Sequence, residues 1–291
     1  MAHNHTHTKH IKTAFILNAV FTLIEFGGGY YTNSIAILSD AFHDLGDSFS
    51  LGIAWYFQKL ASKKSDNAFT FGYKRFSILG ALINAIILIV GSIFIIYHAF
   101  LRFQSPEEVH SIGMLILAII GVGANSLAAY SLSKGHSLNE KVVRLHLIED
   151  VLGWIAVLIG SAIIYFTSWH FIDSLLSIGI GFFILFNALK SAIASVKIIL
   201  QATPIKEPKE ELINRILNSF TEIDNIHDFH MWSLDGETNV VSIHVQFEGT
   251  TSASRIFEVK TELRALLKEK NFQHITIETD LISEKDGNIS L

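Results

Sequence analysis

Long apolar stretches, each broken by a few polar residues, fill the first two thirds of the chain, and short alternating stretches fill the rest. A bilayer core about 30 Å thick needs roughly 20 mostly apolar helical residues. Runs of that length lie at 12–31, 35–58, 76–101, 111–132, 142–166 and 172–196, which predicts six transmembrane helices. In the last of them, Lys190 and Lys197 are placed at the aqueous end. From Pro204 onward the pattern changes. EPKEELINRILNSF predicts an amphipathic helix, HDFHMWSL and NVVSIHVQFEG two strands joined by DGET, SRIFEVKTELRALLKEK a second helix and HITIETD a last strand. An α-β-β-α-β order suits a small α+β sandwich with both helices on one face of the sheet. The expected fold is therefore an all-α six-helix transmembrane bundle followed by a C-terminal α+β domain. The expected boundaries are a His-rich tail at 1–11, a membrane domain at 12–202 and a C-terminal domain at 203–291.

Composition supports this division. Of 291 residues, 50% are hydrophobic and 17% charged, whereas charged residues approach a quarter of ordinary soluble domains. Only 3 prolines occur, so long helices can run uninterrupted. Cysteine is absent, which excludes disulfides and thiolate ligands and leaves His, Asp and Glu to bind metal. A net charge of −5 without a dense basic run argues against nucleic acid as a partner. The first apolar run is too long for a cleaved signal peptide, and no small-residue cleavage site follows it. Basic residues in short loops mark the cytoplasmic side. Lys59, Lys63, Lys64, Lys74 and Arg75 lie between the second and third runs, and Lys134, Lys141 and Arg144 between the fourth and fifth, while TNS at 32–34 and TSWH at 167–170 carry none. Arg102 is the exception, in a loop that also holds Glu107 and Glu108. Both termini, and with them the C-terminal domain, are expected in the cytoplasm, and the cell membrane is the expected location.

Within the second run, SDAFHDLGD places Asp40, His43, Asp44 and Asp47 at i, i+3, i+4 and i+7, one stripe of a helix. An Asp at mid-bilayer costs about 2.5–3.5 kcal/mol on insertion scales, so such groups face a protein interior or a water-filled path. The fifth run repeats the device, with His146 and Asp150 at i, i+4 and Glu149 beside them. Two helices that each offer H-x-x-x-D supply two imidazoles and two carboxylates, the tetrahedral set that Zn²⁺ favours. The competing reading is helix–helix hydrogen bonding, a role suited to Asn18, Asn84, Asn125 and Asn187. Two matched pairs at membrane depth weigh against it. Asp40 is a candidate for a structural or ion-path role, and Asp44 and Glu149 are candidates to hold ligand imidazoles from behind. Glu25 and Asp173 either line the ion path or bond neighbouring helices.

SIAILSDAFHDLGD at 34–47, FTFGYKRFSILGALIN at 69–84, H-x-x-x-D at 146–150, and HDFHMWSL, SIHV and HITIE in the tail together resemble the cation diffusion facilitator family, in its zinc–cobalt–cadmium efflux branch. The resemblance spans nearly the whole chain. It implies a homodimer with a ferredoxin-like, metallochaperone-like cytoplasmic domain. It also implies export of divalent metal against protons through His43, Asp47, His146 and Asp150, between the second and fifth helices. Zinc is then substrate and candidate regulatory ligand, cadmium and cobalt are alternative cargo, and no organic cofactor is implied. Two imidazoles with two carboxylates suit borderline ions such as Zn²⁺, whereas all-oxygen sites suit harder ones.

Some relatives carry histidines around the segment that reads SDNAFTFGYKRF here; Asp66 stands alone in it, and no site is expected there. A long His-rich sensor loop is also missing, since the loop between the fourth and fifth runs holds only His136. In the tail, His227, His244, Glu278 and Asp280 match positions where relatives hold regulatory zinc at the dimer interface, and His230 and His274 are further candidates. By strand parity His227 and His230 face opposite ways, while His274, Glu278 and Asp280 share a face. The relatives' bridging histidine falls here near Phe257, so a full binuclear set is not implied. The tail HNHTHTKH either gathers cytosolic metal or has no part in transport. Two rivals to a transporter remain: a membrane di-metal oxidase, for which the chain lacks histidine density, and a non-transporting membrane metal sensor or scaffold.

Overall fold

The computed structural model describes residues 20–132, 138–205 and 208–281, and within these the side chains of 47–55, 58, 131–132, 138–146 and 281 are left undescribed. The His-rich tail and the side chains of Asp47 and His146 therefore lie outside the described residues. Its contacts divide the chain into two compact units, Met1–Tyr56 with Gly80–Ala192, and Phe57–Leu79 with Ile193–Leu291.

The first unit is helical. Helix α1 is described over 20–32, and α2 (Ile35–Ala61), α3 (Arg75–Gln104), α4 (Ser111–Leu132), α5 (Leu138–Thr167) and α6 (Phe171–Ile199) follow. Among the described residues, four stretches are long and apolar enough to cross a membrane: Arg75–Gln104, Ser111–Tyr130, Leu147–Thr167 and Phe171–Ile199. The α1–α2 turn is built by Asn33, whose φ of 55° is left-handed backbone that Asn tolerates. Ser34 then caps α2, its Oγ accepting from Ile37 N at 3.1 Å. The tight packing of α4 on α5 depends on Gly121: a Cβ there would overlap the indole of Trp154, which is almost wholly buried. Ala36, Ile37, Met114, Ala118, Trp154 and Val157 form the core of this unit.

The second unit has the α-β-β-α-β order read from the sequence: α7 (Lys209–Ser219), β1 (Ile223–Ser233), β2 (Asn239–Phe247), α8 (Ala253–Glu269) and β3 (Phe272–Leu281). The sheet order is β1-β2-β3, with β1 antiparallel and β3 parallel to β2. Val241, Ile243, Val245 and Phe247 alternate along β2 on the face that buries Leu212 and Ile216 of α7 and Val259, Leu263 and Leu267 of α8. Both helices thus cover one face, and His244 and Gln246 lie on the other. Ser252 caps α8 by accepting from Arg255 N. The β1–β2 turn is an Asx turn in which Asp235 Oδ1 accepts from Glu237 N at 3.0 Å and from Thr238 N.

Candidate metal sites

The stripe on α2 turns inward. Asp40 and Asp44 are 6% and 5% exposed and Asp150 on α5 is 7% exposed, while their neighbours Phe42 and Ile148 are 42% and 40% exposed. Carboxylates inside and apolar side chains outside is the arrangement that lipid-facing helices require of intramembrane acids. A Cβ built on Gly153 of α5 would stand 3.9 Å from Asp40 Oδ1, so the acidic face of α2 lies directly against α5. His43 is half-buried beside Asp44, and Glu149 is exposed. Glu149 therefore lies outside the buried group.

Glu25 joins this group from α1. Its side chain is 1% exposed, and its three strongest electrostatic neighbours are Asp44, Asp40 and Asp150. Asp173 does not join it. Its carboxylate accepts from Ser34 Oγ, from Ile35 N at 2.8 Å and from Ala36 N at 3.3 Å. An acid on α6 thus satisfies the free N–H groups at the start of α2 and sits at its positive dipole end. Ser39 Oγ and Ser177 Oγ, 2.6 Å apart, continue the α2–α6 seam one turn on. No local signal could place Asp173 there, because its partners are 137–139 residues away.

In the second unit, the open face of the sheet collects the tail histidines. Register pairs His227 with His244 and His244 with Glu278. His227 Nε2 lies 3.4 Å from Asp280 Oδ2, and His244 Nδ1 lies 3.5 Å from the same oxygen. Ligand atoms of a tetrahedral ion bound at about 2.0–2.2 Å stand roughly 3.3–3.6 Å apart, so each pair is spaced as two ligands of one ion would be. Glu278 lies across the ring, 3.4 Å from His244 Nε2 and 63% exposed, which puts it at the rim. Among the described residues, ligand-capable atoms converge within 4.8 Å in two groups, His244 with Glu278 and Asp280, and His227 with Asp228 and His244.

Two tail histidines stay outside this cluster. The strand parity that separated His227 from His230 does not hold, because β1 is bulged between them. His227 pairs with His244 and His230 with Ser242, and Asp228 in the bulge has a φ of 45°. Both histidines therefore register with the open-face residues of β2. His230 is nevertheless too far along to join the cluster, and its Nε2 lies 4.0 Å from Asp228 Oδ1. His274 shares the face of Asp280 but sits near the other end of β3, edge-on to Phe71 at 5.6 Å. Phe257, in the place of a bridging histidine, is exposed.

Asp66 is engaged in building the loop between α2 and α3. Tyr73 Oη donates to it at 2.7 Å, Phe69 N at 2.9 Å and Ala68 N at 3.0 Å, and Lys63 Nζ lies 3.3 Å away. These bonds, led by Tyr73, hold its carboxyl well below the usual carboxylate range. Lys74, at the end of the loop, donates to Thr238 Oγ1 at 2.6 Å and so reaches the β1–β2 turn of the same unit.

With these features in place, comparison with known proteins is direct. Residues 11–200 match the cation efflux transmembrane domain and residues 205–281 the cation efflux protein cytoplasmic domain. The chain belongs to the cation efflux family, the cation diffusion facilitators, in the branch that handles zinc, cadmium and cobalt. It is 35% identical to a cadmium, cobalt and zinc/H(+)-K(+) antiporter of Bacillus velezensis, over 100% of this chain and 96% of the relative. It is 34% identical to the metal cation efflux system protein CzcD of Cupriavidus metallidurans, over 96% of this chain and 90% of the relative. It is 33% identical to the zinc transporter ZitB of Pectobacterium atrosepticum, over 96% and 89% respectively.

Proposed function

We propose that this protein is a secondary-active exporter that moves Zn²⁺, and with it Cd²⁺ or Co²⁺, out of the cytoplasm in exchange for protons. In this reading the ion is held by His43 and Asp47 of α2 and His146 and Asp150 of α5, within a six-span membrane domain. The observation that carries the reading is the inward-facing acidic stripe of α2 set against the buried Asp150 of α5. Metal binds neutral imidazole and ionised carboxylate, so loading the site releases protons and reprotonation releases metal. His43 and His146 are read as the groups that exchange protons for metal. The relatives' printed activities, metal efflux and zinc or cadmium antiport with protons, are what this chemistry performs.

The α-β-β-α-β unit is read as a ferredoxin-like cytoplasmic domain that pairs two protomers, in line with its match to the family's cytoplasmic domain. Its convergent His244, Glu278 and Asp280 would hold a regulatory Zn²⁺, with His227 beside Asp280. Both termini are then cytoplasmic and the protein resides in the cell membrane. The test is Zn²⁺ uptake into inverted membrane vesicles. His43→Ala and Asp150→Ala should abolish uptake while the protein still inserts, and normal uptake by either variant would refute the site.

A further inference from the structure

The α2–α3 loop does more than join two helices. Its residues 68–72 and 74–76 enclose, with Gln201, Trp232 and Leu234, a cleft of about 390 Å³ that lies wholly within the second unit. Phe71 and Trp232 give it aromatic walls, Lys74 and Arg75 give it charge, and no carboxylate lines it among the described residues. Lys74 is held in place, donating to Thr238 Oγ1 at 2.6 Å with Asp235 Oδ2 at 4.0 Å. An ammonium carries three donors, so it retains capacity for a further acceptor. The side chain of Arg75 makes no hydrogen bond or ion pair among the described residues. By contrast, Lys63, Arg102 and Arg255 each hold a carboxylate.

The chain fixes where this cleft lies. Helix α3 begins at Arg75 and α6 ends at Ile199, two residues before Gln201, and both are long and apolar enough to cross a membrane. Two extended residues span at most about 7 Å, and the headgroup layer adds roughly 5–8 Å on each side of the hydrocarbon core. The cleft is therefore at the depth of the lipid phosphates, on a loop whose Phe69 and Phe71 are exposed, as aromatic rings at that level often are. A guanidinium presents a planar fork that matches two phosphate oxygens, and basic pockets at the ends of spans suit anionic headgroups. We infer that this cleft binds the phosphodiester headgroup of an acidic phospholipid, with Arg75 as its main ligand and Lys74 beside it. Only the leaflet concerned rests on the proposed topology. A headgroup held there joins the start of α3, the segment after α6 and the end of β1. The bland alternative is a diffuse basic surface, in which exposed Lys64, on the same loop but outside the cleft, would count as much as Arg75.

The experiment titrates the full-length protein in detergent with phosphatidylglycerol or phosphatidylcholine and counts bound lipid per protomer by native mass spectrometry. One phosphatidylglycerol per protomer should bind at least tenfold more tightly than phosphatidylcholine. Arg75→Gln should weaken that lipid at least tenfold, whereas Lys64→Gln, which removes the same charge, should change its affinity less than twofold. Arg75→Lys keeps the charge without the fork and should weaken it about threefold; it carries the test if Arg75→Gln lowers the Tm measured without lipid. Phosphatidylglycerol should raise the Tm of the wild type and of Lys64→Gln but not of Arg75→Gln. No preference for phosphatidylglycerol, or equal weakening by Arg75→Gln and Lys64→Gln, overturns the site and leaves a diffuse surface charge. Displacement of the lipid by an equal concentration of inorganic phosphate overturns the lipid as occupant in favour of a free anion.

Discussion

Asp173→Ala separates an ion-path acid from a structural one. In the structure its carboxylate accepts three hydrogen bonds, from Ser34 Oγ, Ile35 N and Ala36 N, at a site 1% exposed. Truncation leaves two backbone N–H groups and one hydroxyl without their acceptor in a place that water reaches poorly. Each buried unsatisfied donor costs about 1–3 kcal/mol, and loss of a helix cap alone costs about 0.5–2 kcal/mol. Ser34 can turn its hydroxyl elsewhere, so the expected loss is on the order of 2–4 kcal/mol. For a unit of this size that corresponds to a fall in Tm of roughly 5–10 °C. Asp173→Asn keeps one acceptor oxygen and should lose about half as much. The assay is thermal unfolding of detergent-purified protein, followed by size-exclusion chromatography after heating, with Zn²⁺ uptake measured on the same preparations at low temperature. The expected result is a lowered Tm with transport per folded molecule largely kept. An unchanged Tm together with abolished transport would refute the capping role and place Asp173 in the ion path.

Leu263→Ala, at a fully buried position under the sheet, should destabilise the second unit by about 2–5 kcal/mol, read as a lower urea midpoint of its unfolding. Asp280→Ala removes the oxygen shared by His227 and His244 and should weaken Zn²⁺ binding at the cytoplasmic cluster at least tenfold by calorimetry, whereas His274→Ala should not. The depressed Asp66 carboxyl contributes stability that is complete above its ordinary value near pH 4 and is lost only as pH falls through the lower folded value. Protease protection of the 62–74 loop should therefore be flat from pH 7 to pH 5, and a loss of protection between pH 6 and pH 5 would contradict the assignment.

The helices and strands were legible because their signals are local. Apolar runs marked the beginnings and ends of α3, α4 and α6 to within a few residues, and the alternation of Val241, Ile243, Val245 and Phe247 revealed the buried face of β2. The inward turn of Asp40, Asp44 and Asp150 was legible too, since the spacing and the cost of charge in lipid leave few alternatives. What stayed hidden depends on partners far away in the chain. Asp173 and Glu25 both read as polar groups at membrane depth, yet one caps α2 and the other faces three carboxylates. Parity misplaced His230 because the Asp228 bulge inserts a residue into β1, and nothing in HDFHMW announces a left-handed Asp. The parallel pairing of β3 with β2, which brings Asp280 to His244, likewise comes from packing of α8 and not from the strand itself.

The central claim is coupled movement of metal and protons through the α2–α5 site. It is tested most directly in proteoliposomes that report internal Zn²⁺ and internal pH together, with an imposed pH gradient as the driving force. The account predicts gradient-driven Zn²⁺ accumulation with opposite proton flow, both abolished by Asp150→Ala. Zn²⁺ that binds the protein without crossing the bilayer, or crosses it with no change in internal pH, would contradict it.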